Sequence, residues 1–200
     1  MARYTGPKRR LSRREGVALF VKDASFIERK GAVPPGQHGL RGRRKVTEYG
    51  VQLREKQKAK RTYGLMEKQF AKYYQIASKR KGNTGEALMQ LLETRLDNTV
   101  YRLGLTSSRA AARQMVSHGH ISVDGKRVST PSFQVKPGLT IAILNRMLDN
   151  TQVKKSLDSQ QTLPGWLERK ATVGKVLRMP TREEAEQGIS EQLIVEYYSR

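Results

Sequence analysis

Arg109 and Arg113 stand four residues apart in a stretch that reads as a helix, so their side chains share one face while Ala111, Ala112 and Met115 occupy the other. Ser107 or Ser108 can cap that helix by accepting from an orphan backbone N–H, and Gly119 ends it. His118 and His120 flank the stop. Ile121 and Val123 then alternate with polar neighbours as a half-buried strand does, and Asp124-Gly125 tolerates the positive φ angles of a two-residue hairpin turn. Lys126 and Arg127 follow directly. Guanidinium, ammonium and imidazole donors set on a helix beside a tight turn suit phosphate oxygens across a structured groove, which is the chemistry of RNA binding.

Catalytic readings of the same residues fail on geometry. Gly119 to Lys126 imitates a phosphate-binding loop, but five residues rather than four separate its glycines, and Arg127 stands where Ser or Thr is needed. Arg95-Leu96-Asp97 resembles the catalytic triplet of pseudouridine synthases, yet it lies inside an apolar helical repeat with no room for an α/β catalytic domain around it. Asp97 reads instead as a helix or interface carboxylate. His118 and His120 are two of only three histidines, in a chain without cysteine, so packing or hydrogen bonding to RNA is favoured over metal ligation. No catalytic residue, metal or cofactor is expected.

Composition supports a polyanionic partner independently. Thirty-nine Lys and Arg against 18 Asp and Glu give a net charge of +21 and a pI near 10.5, far from the balance of an ordinary soluble enzyme. A membrane partner is not expected, since no apolar run approaches the roughly 20 residues of a spanning helix and the basic segments lack a strongly apolar opposite face. The absence of cysteine excludes disulfides, and a basic start without an apolar core does not resemble a secretory signal, so a cytoplasmic location is expected.

The elements that must carry these residues differ along the chain. From 1 to 46 no apolar period persists; Arg9, Arg10, Arg13 and Arg14, then Arg41, Arg43, Arg44 and Lys45, bracket a Gly/Pro-rich middle. Such a segment is expected to gain order against RNA phosphates rather than from its own core. Thr47 can cap a helix from Glu48 towards Gly64, in which Arg54, Lys56, Lys58, Lys60 and Arg61 surround Leu53. Glu55 is the only acid between Arg54 and Arg61, so intrahelical pairing leaves the helix charged and predicts a phosphate-facing surface. Met66, Phe70, Tyr73 and Ala77 have the spacing of a buried face, with base stacking by Tyr74 a minor alternative. Leu88, Leu92, Leu96 and Val100, with Leu91 and Leu103, predict a second apolar stripe beyond the Gly82 to Gly85 break. Short strands are expected at 133–135 and 140–144, an apolar anchor at Trp166 and Leu167, and a capping box from Thr181 to Glu184 opening a short helix. Leu193, Ile194, Tyr197 and Tyr198 favour a helix, with a strand as the alternative. Glu183, Glu184 and Glu186, with Glu191 and Glu196, make the tail locally acidic and suited to a basic protein neighbour.

Residues 95–143 resemble the small RNA-binding module named after ribosomal protein S four, and the resemblance extends over the chain. ARYTGPK at 2–8, PPGQHG at 34–39, EYGVQLREKQKAKRTYG at 48–64, ARQMVSHGH at 112–120 and LIVEYYSR at 193–200 are similar to bacterial-type members of that family, in the same order. Some relatives carry a zinc-binding cysteine cluster near the N-terminus, and this chain departs from them there. The resemblance implies an α+β fold, mainly α: a helical domain at 47–94, an inserted RNA-binding module at 95–158 with helices on a short antiparallel sheet, a basic extension at 1–46, and a segment at 159–200 returning to the helical domain. It also implies a structural constituent of the small ribosomal subunit that binds 16S RNA, nucleates assembly and contributes to translational accuracy. The implied neighbours are the third and fifth small-subunit proteins, mRNA near the channel by which it enters, and the protein's own mRNA, in a cytoplasmic or plastid ribosome. The competing classes are a free RNA-binding factor and a subunit of an RNA-modifying enzyme carrying the same module.

Overall fold

The computed structural model describes residues 4–31, 33–39, 46–158 and 162–200; Arg41, Arg43, Arg44 and Lys45 lie outside them. The chain forms two compact units, one of Met1–Gly85 with Gly188–Arg200 and one of Glu86–Gln187.

The first unit is helical, with α1 (Lys8–Glu15), α2 (Ala24–Lys30), α3 (Glu48–Thr62), α4 (Glu67–Ser78) and, from the far end of the chain, α9 (Glu191–Ser199). Thr47 caps α3 by accepting from the Gly50 N–H at 3.2 Å. Phe70, Tyr73 and Ala77 are buried along one side of α4, whereas Met66, at the N-cap, is exposed. The C-terminal segment is a helix, α9, as the spacing of Leu193, Ile194, Tyr197 and Tyr198 predicts: Ile194 is buried, and the tyrosines close a polar lock. Lys56, itself buried, reaches Glu67 Oε1 at 2.7 Å and lies 4.4 Å from the centre of the Tyr197 ring. Tyr198 donates to the same oxygen at 2.9 Å and stacks on Tyr74 at 4.6 Å, and Lys60 takes Glu67 Oε2 at 2.7 Å. Tyr74 is therefore a packing residue.

The N-terminal segment departs from the expectation of order gained only against RNA, because polar ties replace the missing apolar period. Ser12 is fully buried and donates to Asp23 Oδ2 at 2.5 Å. Arg13 donates to the carbonyls of Val33 and Pro34 at 2.8 and 3.1 Å. Gly16, at φ 76°, turns the chain out of α1.

The second unit packs α6 (Leu96–Arg102), α7 (Arg109–Ser117) and α8 (Thr151–Asp158) with a five-stranded antiparallel sheet, while α5 (Thr84–Glu93) leads into it. The strands β1 (Ile121–Val123), β2 (Lys126–Arg127), β3 (Thr140–Ile143), β4 (Leu167–Lys170) and β5 (Val173–Val176) lie in the order β2-β1-β3-β5-β4. One apolar core joins Leu96 and Val100 of α6 and its C-cap Leu103, Met115 and Val116 of α7, Ile121, Ile141, Ile143 and Val176 of the sheet, and Trp166.

Two expectations change here for one reason. The apolar stripe from Leu88 to Val100 is buried throughout, but its helix breaks between Glu93 and Leu96, where Arg95 takes an extended backbone. The freed groups pair across the chain: Leu96 N–H donates to Phe133 O at 2.9 Å and Val135 N–H to Thr94 O at 2.8 Å. Residues 133–135 are thus a single bridge, Arg95 to Gln134, rather than a strand.

The segment 159–200 also divides. β4 and β5 join the sheet, and only Gly188–Arg200 lies in the helical unit. Gly174 admits the Leu103 side chain so closely that a Cβ would fall 2.5 Å from it. The Thr181–Glu184 contact forms, with Thr181 N–H and Oγ1 donating at 3.1 and 3.0 Å. Turns rather than a helix follow, and Arg178 also donates to the same carboxylate at 2.7 and 2.8 Å.

The Glu67 lock sets a pH dependence. Burial pushes its carboxyl up, but hydrogen bonds from Lys56, Lys60 and Tyr198 outweigh that and hold it at about 2, below the ordinary 4.5. A depressed carboxyl stabilises the fold fully above its unfolded value and loses that contribution as pH falls towards the folded one. Urea unfolding of the wild type and Glu67→Gln should show an advantage for the wild type at pH 6 that disappears between about pH 4.5 and 2. A difference independent of pH would refute the lock.

Candidate nucleic-acid interface

The β1–β2 hairpin builds an exposed cationic site in the second unit. Asp124 at φ 46° and Gly125 at φ 76° make the turn, which sends Lys126 and Arg127 outward. Arg127 Nη2 donates to the His118 carbonyl at 3.2 Å. Its guanidinium lies against Gly119, where φ is +68° and a Cβ would fall 2.2 Å from Nε. The His118 and His120 rings meet edge-on at 6.0 Å. Burial, then Arg146, His118 and Arg127, push the His120 imidazole below its ordinary value. His118, His120, Lys126, Arg127 and Arg146 therefore share one edge. The sequence did not mark Arg146; β3 pairs with β1, so the turn after Ile143 returns to His120, where Leu144 N–H donates to its carbonyl at 3.0 Å.

Arg109 and Arg113 lie off the core stripe as expected, and Ser108 caps their helix by accepting from Ala111 N–H at 3.3 Å. Their guanidinium groups nevertheless meet carboxylates. Arg109 donates to Asn98 Oδ1 at 2.8 Å, pairs with Glu186 and covers the Tyr101 ring at 4.7 Å. Arg113 lies 3.6 Å from Asp97, which Arg95 grips through Nε and Nη2 at 3.1 and 3.0 Å. Arg102 bridges Glu93 at 2.7 Å and Glu186 at 3.1 Å. The Glu93 side chain is 0% exposed and also accepts from Asn98 at 2.6 Å. Glu186 is thereby part of an internal cluster, Glu184 is held by Arg178, and Glu183 remains exposed.

The cations of α3 are likewise engaged, which overturns the inference that its charge goes unneutralised. Only Lys58 pairs within the helix, with Glu55 at 3.1 Å. Lys56 and Lys60 share Glu67, as above. Arg54 reaches Glu15 of α1 at 3.3 Å, and Arg61 pairs with the same oxygen. The Glu15 side chain is 1% exposed, so burial pushes its carboxyl above the ordinary value despite Arg61, Arg54 and Arg14. Its other oxygen is buried without a hydrogen-bond partner among the described residues. Acids at helical spacing do not include these partners, because Glu15 and Glu67 come from neighbouring helices. In α1, Arg9 lies 3.8 Å from Asp23 and over the Phe26 ring at 4.5 Å, while Arg10 and Arg14 are exposed.

The exposed cations Lys126, Arg127 and Arg146 are suited to phosphate. Among the described residues no group of three or more His, Cys, Asp and Glu side chains could hold a metal ion, and no helix is long and apolar enough to cross a membrane.

Comparison with known proteins agrees with this geometry. The family model described as the ribosomal protein S4/S9 N-terminal domain matches residues 3–93, and the S4 domain matches 94–141. The chain is 56% identical over 207 residues to small ribosomal subunit protein uS4 of Dictyoglomus turgidum. It is 50% identical over 208 residues to uS4A of Symbiobacterium thermophilum and 51% identical over 205 residues to uS4 of Akkermansia muciniphila. Each alignment covers 100% of both chains.

The two classes of cation should separate on mutation. Arg102→Ala strands the buried Glu93 carboxylate and should cost roughly 3 kcal/mol in urea unfolding, as removing one partner of a buried pair does. Lys126→Ala, on the exposed turn, should change stability by no more than about 0.5 kcal/mol. Equal costs would show that the internal pairs carry no structural load.

Proposed function

The chain belongs to the uS4 family of small ribosomal subunit proteins and is not an enzyme, and on that premise we propose that it is a primary binder of 16S RNA that helps nucleate small-subunit assembly. The observation that carries this reading is the outward edge of His118, His120, Lys126, Arg127 and Arg146, set on a rigid sheet and helix while neighbouring arginines are retained by carboxylates. Donors fixed by a hairpin meet phosphates in one register, which favours a shaped RNA over any polyanion. Exposed Arg10 and Arg14 of α1 add contacts from the first unit. Arg41, Arg43, Arg44 and Lys45 extend the cationic sequence further.

The same reading places the protein in the ribosome beside the third and fifth small-subunit proteins and near the path of incoming mRNA. Its contribution to accuracy would run through a protein contact, for which exposed Glu183 is the acidic side chain left available in that stretch. Recognition of its own mRNA would use the RNA surface already described.

Chemical probing of small-subunit RNA with and without the full chain should reveal one localised footprint. The affinity should fall steeply with salt, by about 0.7 to 0.9 log units per tenfold change in salt for each phosphate neutralised. Replacing Lys126, Arg127 and Arg146 together by Gln should erase part of the footprint and flatten that slope. A wild-type footprint absent or spread evenly over the RNA would refute primary binding.

A further inference from the structure

The face of α4 turned away from its buried residues carries a second, unassigned row of cations. Lys68 and Lys72 are one turn apart, and Lys79, the C-cap residue, follows seven residues later. At 100° per residue the three fall within about 40° of one another, spread over about 16 Å of axis. Arg80 and Lys81 extend the row past the helix end. All five are exposed, and none makes an ion pair among the described residues. The opposite side of the helix is fixed by Phe70, Tyr73 and Ala77 in the core, so this orientation is not free to rotate.

We infer that this α4 face, Lys68, Lys72, Lys79, Arg80 and Lys81, is a phosphate-contacting surface of the helical unit beside Arg10 and Arg14 of α1, in place of α3. The inference rests on the RNA-binding reading above and names where the unit meets the RNA. Its physical ground is the difference in prior engagement. An α3 cation must give up a carboxylate at about 3 Å to gain a phosphate, as at Lys56 and Lys60 with Glu67. A lysine on α4 exchanges only water and mobile ions, and releases condensed counterions from the RNA when it binds. A row of cations without interspersed acids also repels a basic protein neighbour, so charge complementarity selects an RNA strand over the other basic proteins of a ribosome.

The test compares two variants of the full chain binding small-subunit RNA across a salt series. Lys68→Gln/Lys72→Gln/Lys79→Gln should retain the wild-type helical signal and melting temperature. It should flatten the log affinity against log salt slope by about 2 to 2.7 units, which is three phosphates at 0.7 to 0.9 each. Lys60→Gln should instead lower the melting temperature and leave the slope within about 0.3 of wild type. An unchanged slope in the triple variant, or a slope lost only with Lys60, would overturn the inference. Normal RNA binding by the triple variant together with failure to enter small subunits would also overturn it, in favour of an acidic protein partner. Failure of the wild type itself to bind this RNA would refute the underlying function instead.

Discussion

A surplus of 21 positive charges must be arranged before any core in this chain can close, since like charges one helical turn apart repel. The solution is to place scarce carboxylates where each holds more than one cation. Glu15 takes Arg54 and Arg61; Glu67 takes Lys56 and Lys60. Asp97 takes Arg95 and Arg113, and Glu186 takes Arg102 and Arg109. Several of these acids are withdrawn from water, which strengthens the attraction but makes each partner costly to lose. The helix contacts of the first unit and the α6–α7 pairing of the second both run through such shared carboxylates.

That arrangement sorts the cations into two populations with different work. Paired cations fasten α1, α3, α4 and α9 together, or hold α6 and α7 beside the chain near Glu186. Among the described residues, cations outside these carboxylate pairs include those at the hairpin edge around Lys126 and Arg127 and the row along α4. Local density of Lys and Arg is therefore a poor guide to which cations carboxylates already engage. Helix α3, more basic than α4 by sequence, is the more committed internally.

The sequence was legible where the signal was local. Ser108 as a cap, Asp124-Gly125 as a turn, and the Phe70, Tyr73, Ala77 stripe follow from rules acting over four residues or fewer. Long-range pairing was not legible. The break at Arg95 follows from hydrogen bonds to residues near 133, and the strands at Leu167–Lys170 and Val173–Val176 lack sustained apolar alternation. Arg146 joined the site only through the β1–β3 pairing, and the retention of Arg109 followed from Glu186, 77 residues away. The N-terminal helices escaped notice because Ser12, Asp23 and Arg13 bind through polar groups that periodicity does not register.

The division of cations is tested most directly by amine-acylation footprinting of the full chain, free and bound to small-subunit RNA, read lysine by lysine by mass spectrometry. Lys56 and Lys60 should be slow in both states. Lys68, Lys72, Lys79, Lys81 and Lys126 should react rapidly in the free protein and become protected only with RNA. Rapid labelling of Lys56 and Lys60 in the free protein, with protection on binding while Lys72 and Lys126 stay reactive, would contradict the account.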